Sequence, residues 1–354
     1  MSRLKPRSTL SRIVARCVAL PALALALGAG GPGAGGAQAA PVTLRLADSF
    51  PAGHYIADKV TKWFMQQVTE RTQGAVKFEY YPAEQLGKAK DMLTLVGNGV
   101  ADIAYVAPSF TTDKLPLSGV AELPLGFATS CEGTKAFYQI AAEGGIVAQR
   151  ELAPNNVRLL FTLVLPPYQV FLRGPNLKSI ADVKGLKIRT SGKAKELAVQ
   201  ALGAVPIQIA TPDVYQALSR GTIDGMLFPY SSIYSYDLQD LTKSASLGAN
   251  FGSFIVMYAI SERKWRTLAP DVQAILRSIG KEATERGCRI SQEQEHADQE
   301  RLKAKGVSEI ALGEADRAMV AKEMAGIGKV WARDLDGRGK PGTAVLDAFE
   351  KALH

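Results

Sequence analysis

Two stretches of this chain alternate strand and helix in the same order, and that repeat limits the fold more than any other feature. In the first, "VTLRLA" at 42–47 alternates like a strand, and Ile56, Val60, Trp63, Phe64 and Val68 then recur at helical spacing. Gly74 closes that helix as a left-handed cap, and "VKFEY" at 76–80 alternates again. A second helix is expected over Lys88–Asn98, closed by Gly99, before a third strand, "ADIAYV", at 101–106. In the second stretch Leu186–Thr190 is a strand, and Ser191 is placed to cap a helix that runs to about Leu202. "VPIQI" at 205–209 is the next strand. Thr211 caps a further helix, with Pro212 at its first position where a missing N–H costs nothing, and "IDGMLF" at 223–228 follows. A β-α-β-α-β run argues for a largely parallel sheet covered by helices. Two runs therefore predict two α/β lobes. "VGNGVADIA" and "LSRGTIDGM" also match, Gly99 with Gly221 and Asp102 with Asp224. An ordinary Gly-capped turn explains that match better than a true repeat, but its presence once in each run favours similar lobes.

The first 39 residues read differently. Arg3, Lys5, Arg7, Arg12 and Arg16 form a basic head without an acid. An apolar stretch, Cys17–Ala29, follows and is broken by Pro21, and a Gly-rich segment leads to "AQA" at 37–39. This is the pattern of a cleavable secretory signal peptide, and the apolar run is short for a membrane span. The formal charge of +8 includes five from the leader, leaving +3. The high isoelectric point is then mostly a property of the leader and gives no support to nucleic-acid binding. An exported chain with no later apolar span is expected to be periplasmic or secreted. Cys131 and Cys288 remain, and the sequence leaves a disulfide and two buried thiols equally open.

From Pro270 to Gly306 the chain is strongly helical, apolar first at Val272, Ile275, Leu276 and Ile279 and then polar. Such a helix spans ~50 Å at 1.5 Å per residue, more than one lobe. Gly280 and Gly287 are candidate bending points. A further helix is expected near 314–333, broken by "DGRGKPG" and followed by a short terminal helix.

Enzyme motifs are missing: no nucleophile elbow, Walker sequence or zinc-protease helix occurs. His54, His296 and His354 are widely separated, and His54 with Asp58 is too small a set for a metal. No metal or cofactor is expected, and no catalytic role. Glu293 and Glu295 read as solvated charge on a polar helix face. Aromatics gather near strand ends, and open α/β sheets bind ligands beyond the carboxyl ends of their strands. Arg189 lies near the C-terminal end of the strand "KIRT". An arginine facing a closed cleft can hold a carboxylate through two parallel hydrogen bonds, and it is costly to bury without a partner.

At these residues the chain resembles a known family. "ADVKGLKIRT", "ALGAVPIQIATPDVYQALSRGTIDG" and "AEQLGKAKDMLTLVGNGVADI" are similar to the solute-binding proteins of tripartite ATP-independent periplasmic (TRAP) transporters. The resemblance implies a two-lobed periplasmic binding protein fold. Each lobe would be a mixed, mostly parallel sheet flanked by helices, with a long helix spanning both. It implies capture of an organic acid and delivery to integral-membrane TRAP permease subunits driven by sodium, by a monomer. In that family the arginine of the "K-I-R" strand grips the ligand carboxylate, which makes Arg189 the principal ligand residue. Sugar-acid members carry a second arginine one strand earlier. Here Tyr168 or Gln169 takes that place, and Arg173 falls too late. Many members have asparagine before the proline that follows the "D-G" turn, and here Phe228 stands there. Both changes imply a less polar ligand. The expected site is Arg189 with an apolar wall of Phe228 and Tyr230, plus Tyr168, Gln169, Tyr105 and His54. The lobes are expected at 41–165 with 252–292, and at 166–251 with 293–354. The alternatives are the same fold serving a signalling receptor, or a C4-dicarboxylate or sugar-acid ligand in place of an aromatic one.

Overall fold

The computed structural model describes residues 41–174 and 177–354, so the expected leader at 1–39 lies outside the described residues. The chain begins with β1 (Val42–Ala47), α1 (Lys62–Arg71), β2 (Val76–Tyr81), α2 (Met92–Gly97) and β3 (Ile103–Val106). Ile56, Val60, Phe64 and Val68 are all buried, so the apolar series read from the sequence is one continuous face. α3 (Ser130–Ala141) and β4 (Val157–Val164) complete the first half. The chain then crosses to β5 (Gln169–Leu172), β6 (Lys187–Thr190), α4 (Gly192–Ala201) and β7 (Val205–Gln208). α5 (Val214–Ser219), β8 (Gly225–Phe228) and β9 (Ser244–Leu247) follow. It returns through β10 (Ile255–Ser261), the short α6 (Glu262–Trp265) and the long α7 (Pro270–Ala304). β11 (Ser308–Ala311), α8 (Glu314–Met324), α9 (Ile327–Gly337) and α10 (Gly342–Leu353) end the chain.

The strands form two sheets, ordered β2-β1-β3-β10-β4 and β11-β9-β5-β8-β6-β7. β1 is parallel to β2 and β3, and β6 is parallel to β7 and β8, as the two sequence runs require. β10 and β5 enter antiparallel because each arrives from a crossing segment and not through a helical crossover. The paired Gly–Asp turns prove equivalent in detail. Gly99 and Gly221 both take φ near +70° (74° and 71°). Asp102 accepts the Arg45 N–H at 2.9 Å, and Asp224 accepts the Lys187 N–H at 2.8 Å. Each aspartate thus pins the first strand of its run to the third, so the match is structural in both lobes.

α7 runs unbroken over 35 residues, and its glycines serve packing where bending was expected. A Cβ at Gly280 would run into the Leu160 carbonyl of β4, and one at Gly287 would sit 3.2 Å from Leu163. Thr284 accepts the Thr162 N–H at 3.1 Å, so the helix supplies an acceptor to the edge strand of the first sheet. Further along, Glu295 accepts from the backbone N–H groups of Tyr230 (3.1 Å) and Ser231 (2.8 Å), next to the second sheet. Glu295 is therefore not the solvated charge expected: burial raises its pKa to about 7, and it caps a turn of the other lobe. The single helix expected near 314–333 is two, α8 and α9, separated at Ala325–Gly326. α10 packs back against α3 and α9.

The open cysteine question resolves as a disulfide, Cys131 of α3 to Cys288 of α7, across a sequence separation of 157. A loop this long removes much denatured-state entropy, worth about 2–5 kcal/mol. Reduction, or the double serine variant, is expected to lower the thermal midpoint by that equivalent. An unchanged midpoint in a reductant titration followed by circular dichroism would show that the crosslink adds nothing to packing.

One buried carboxyl of the first lobe gives the fold a measurable pH response. Glu151 accepts from the backbone N–H of Leu117 (2.5 Å) and Ser118 (2.9 Å) and from the Ser118 hydroxyl. Burial outweighs these donors and raises its pKa to about 7. A folded pKa above the unfolded one means stability is fully present below the unfolded value, near 4.5, and is lost as pH rises through about 7. Relative to Glu151→Gln, the wild type is expected to lose on the order of 3 kcal/mol between pH 4.5 and 8. Parallel denaturation midpoints for the two proteins across that range would contradict this.

Candidate functional site

Arg189 is the last residue but one of β6, and its side chain is fully buried. Strand alternation turns Ile188 and Arg189 to opposite faces, and Lys187 alone of the segment is exposed. The guanidinium donates to the Ile209 carbonyl (2.9 Å), the Leu227 carbonyl (3.4 Å) and the Thr211 hydroxyl (3.0 Å). All three acceptors are neutral. Desolvation pulls its pKa down, while the phenols of Tyr168, Tyr236 and Tyr105 act in the opposite sense. Arginine nonetheless stays a cation, so a full positive charge is held here on neutral oxygens. Thr211 was expected to cap a helix. It instead opens a 3-10 turn, and its hydroxyl is committed to Arg189. Ser191 does sit at the N-cap of α4, but its hydroxyl makes no capping bond.

Aromatic rings surround this charge in sequence. The Arg189 Cζ lies 5.4 Å from the Phe228 ring centre. Phe228 stands 6.1 Å from Tyr168 and 6.0 Å from Tyr236. Tyr236 meets His54 edge-on at 5.3 Å, which is a contact between the lobes. His54 stacks on Phe50 at 4.0 Å, and Phe50 lies 4.6 Å from Tyr105. Arg189, Phe228, Tyr168, His54 and Tyr105 are thus brought to one place. Burial raises the pKa of Tyr105, Tyr168 and Tyr236 and lowers that of His54 to about 3, so every ring here is neutral at physiological pH.

Tyr230 and Gln169 are not brought there. Tyr230 packs edge-on against Phe171 at 4.8 Å and donates its hydroxyl to the Ser246 carbonyl at 3.0 Å. Pro229 ends the strand between Phe228 and Tyr230, which sends the two rings apart. Gln169 lies one residue from Tyr168 on a strand and so faces the other side. Its amide donates to the Ala249 carbonyl at 2.6 Å and accepts from Ser246 at 2.9 Å. Both residues line a separate groove of about 700 Å³ with Asn250, Glu295 and Arg317. In this groove Asn250 donates to the Leu125 and Phe127 carbonyls and Arg317 to the Leu312 carbonyl, so neither holds a buried charge on neutral oxygens as Arg189 does.

A second buried cation ties the lobes beside the aromatic ring. Lys195 of α4 is fully buried and donates to the Ser253 carbonyl at 2.5 Å and to Glu122 at 3.3 Å. Glu122 also accepts from Ser109 at 2.6 Å. Gly192, at φ +73°, allows this approach, since a Cβ there would lie 2.7 Å from the Ser109 hydroxyl oxygen. Burial lowers the Lys195 pKa to about 8, against the pull of Glu122. Sequence reasoning missed Lys195, Glu122, Thr211 and Tyr236. Tyr236 sits in "YSSIYSYDL", an irregular segment with no period to read.

With Arg189 held on neutral oxygens, the arrangement can hold an anion between the lobes. Among the described residues, no cluster of His, Cys, Asp and Glu could hold a metal, and no helix is long and apolar enough to cross a membrane. Comparison with known proteins agrees with this picture. The profile of the bacterial extracellular solute-binding proteins, family 7, matches residues 46–334. The C4-dicarboxylate-binding periplasmic protein DctP of Rhodobacter capsulatus is 27% identical over 84% of this chain and 86% of its own. A TRAP solute-binding protein from Rhodoferax ferrireducens, solved with copurified benzoate, superposes with a TM-score of 0.81 at 23% identity, covering 88% of this chain and 97% of that one. A TRAP periplasmic solute-binding protein from Bordetella bronchiseptica, solved with bound mandelate, gives 0.80 at 23% identity over 88% and 99%. With the profile covering most of the sequence and the two-lobed fold matched over 88% of it, the chain belongs to the family 7 bacterial extracellular solute-binding proteins, of the TRAP type.

Proposed function

We propose that this protein captures a monocarboxylate with an apolar or aromatic body between its lobes and delivers it to the membrane subunits of a sodium-coupled TRAP transporter. The observation that carries this is Arg189: a fully buried guanidinium held only by neutral oxygens and walled by Phe228. A carboxylate entering there gains charge-assisted hydrogen bonds in a water-poor setting. The surrounding rings reward apolar area at about 25 cal/mol per Å² buried. A hydroxyl-rich sugar acid would lose water against those rings at a cost of ~1–3 kcal/mol for each group left unpaired. The benzoate and mandelate of the two solved relatives support an aromatic acid, and the dicarboxylate named for the Rhodobacter relative is the rival class. We place the lobe boundaries at 41–165 with 252–292 and at 166–251 with 293–354, the last helix of the second reaching back to pack on α3 of the first, and assign export to cleavage of the leader at 1–39.

The direct test is mass spectrometry of small molecules released by denaturing the purified protein, followed by a thermal-shift panel. The panel holds C4-dicarboxylates, sugar acids, branched-chain 2-oxo acids and aromatic acids. An aromatic or apolar monocarboxylate is expected to give the largest shift. A shift with sialic or uronic acids and none with the apolar monocarboxylates would sink the reading.

A further inference from the structure

The carboxylate accounts for Arg189 but leaves another polar group of the same cluster unexplained. His54 is buried, 1% exposed, among Phe50, Tyr55 and Tyr236. Its Nδ1 accepts the backbone N–H of Ile56 at 3.2 Å, which places the ring proton on Nε2. That Nε2–H is buried and has no hydrogen-bond partner among the described residues. Thr190 and Ser191 also carry unpartnered buried hydroxyls, but a hydroxyl rotates to suit its surroundings. The imidazole cannot, because its stacking and its Nδ1 bond fix the ring. A fixed, buried donor without an acceptor is costly to fold, and it belongs to the side of the cluster remote in sequence from Arg189.

We propose that His54 is a specificity-determining residue that donates its Nε2–H to an oxygen acceptor on the body of the ligand. The solute is then an aromatic acid bearing a hydroxyl, keto or ether oxygen in addition to its carboxylate. The inference rests on the monocarboxylate reading above and adds a second polar contact, supplied by the other lobe. Such a contact also explains why a histidine interrupts an otherwise apolar wall: an acid without the oxygen leaves the donor stranded, so it is rejected more strongly than lost contact area alone would predict.

Calorimetry with phenylacetate and with its 3-hydroxy and 4-hydroxy derivatives tests this on the mature protein. At least one hydroxylated acid is expected to bind the wild type about tenfold or more tighter than phenylacetate. His54→Phe is expected to erase that preference while still binding phenylacetate. His54→Gln, which keeps an N–H near the Nε2 position, is expected to retain part of it and guards against a misfolded phenylalanine variant. A preference that survives unchanged in His54→Phe, or no preference in the wild type, overturns the proposal even though binding itself supports the carboxylate reading. Wild-type protein that binds none of the three acids overturns that reading and this inference with it.

Discussion

Arg189→Ala is expected to weaken binding of the cognate carboxylate by a hundredfold or more, with no loss of thermal stability. A hydrogen bond to a charged group is worth ~1.5–3 kcal/mol, and a forked pair supplies two, so ~3–6 kcal/mol is at stake. At 1.4 kcal/mol per tenfold, the lower end already reaches two decades. Stability is expected to hold because the guanidinium is buried on neutral oxygens of Ile209, Leu227 and Thr211, and removing a desolvated charge relieves a cost. Arg189→Lys keeps the charge and loses the planar fork, so a drop of roughly tenfold or more is expected. Calorimetry on the folded alanine variant decides the matter: wild-type affinity there would remove Arg189 from the site.

Breaking the Lys195–Glu122 pair is the second large effect. Both side chains are buried, at 0% and 2% exposure, and they come from different lobes. Removing one partner of a buried pair costs about 3–5 kcal/mol, because the other is left charged and dry. In Lys195→Met the cost falls on bringing the lobes together, since Glu122 regains water when they part. Ligand affinity is therefore expected to fall by about a hundredfold or more. The double variant Lys195→Met/Glu122→Gln is expected to recover much of the loss, since no charge is then stranded. A large fall in thermal midpoint with ligand affinity unchanged would show that the pair belongs to a rigid interface.

Much of this was legible before any coordinates. The helical series from Ile56 to Val68 and the two strand-helix runs depend on local periodicity, which the sequence states directly. Arg189 drew notice in the sequence as a charge near a strand end, and it is buried beside Phe228. What the sequence hid is where local rules were overruled by a distant partner. Thr211 looked like a cap because Pro212 follows it, yet the nearby guanidinium claims its hydroxyl. Glu295 looked solvated because its helical neighbours are polar, yet it reaches the backbone of Tyr230 and Ser231. Tyr230 was expected beside Phe228, yet Pro229 ends the strand between them and the two rings part. Cys131 and Cys288 could not be paired by inspection, since nothing local brings α3 to α7. Except for Tyr230, each of these turns on a partner that the local pattern does not show.

The long helix has a mechanical consequence. Its buried ties to the first lobe continue past the disulfide at Cys288 to Ser291, whose hydroxyl meets that of Tyr55 at 3.1 Å. Its tie to the second lobe begins at Glu295. About one turn of α-helix separates the two anchors. α7 is therefore a shaft clamped at both ends, and a twist of the helix between the lobes is expected to fall on that single turn. Together with the crossings before β5 and β10, its torsional stiffness is expected to set the amplitude and speed of opening, separately from ligand affinity. Tyr55→Phe, by releasing the nearer clamp, lengthens the compliant segment and should speed release and capture together while leaving their ratio nearly constant.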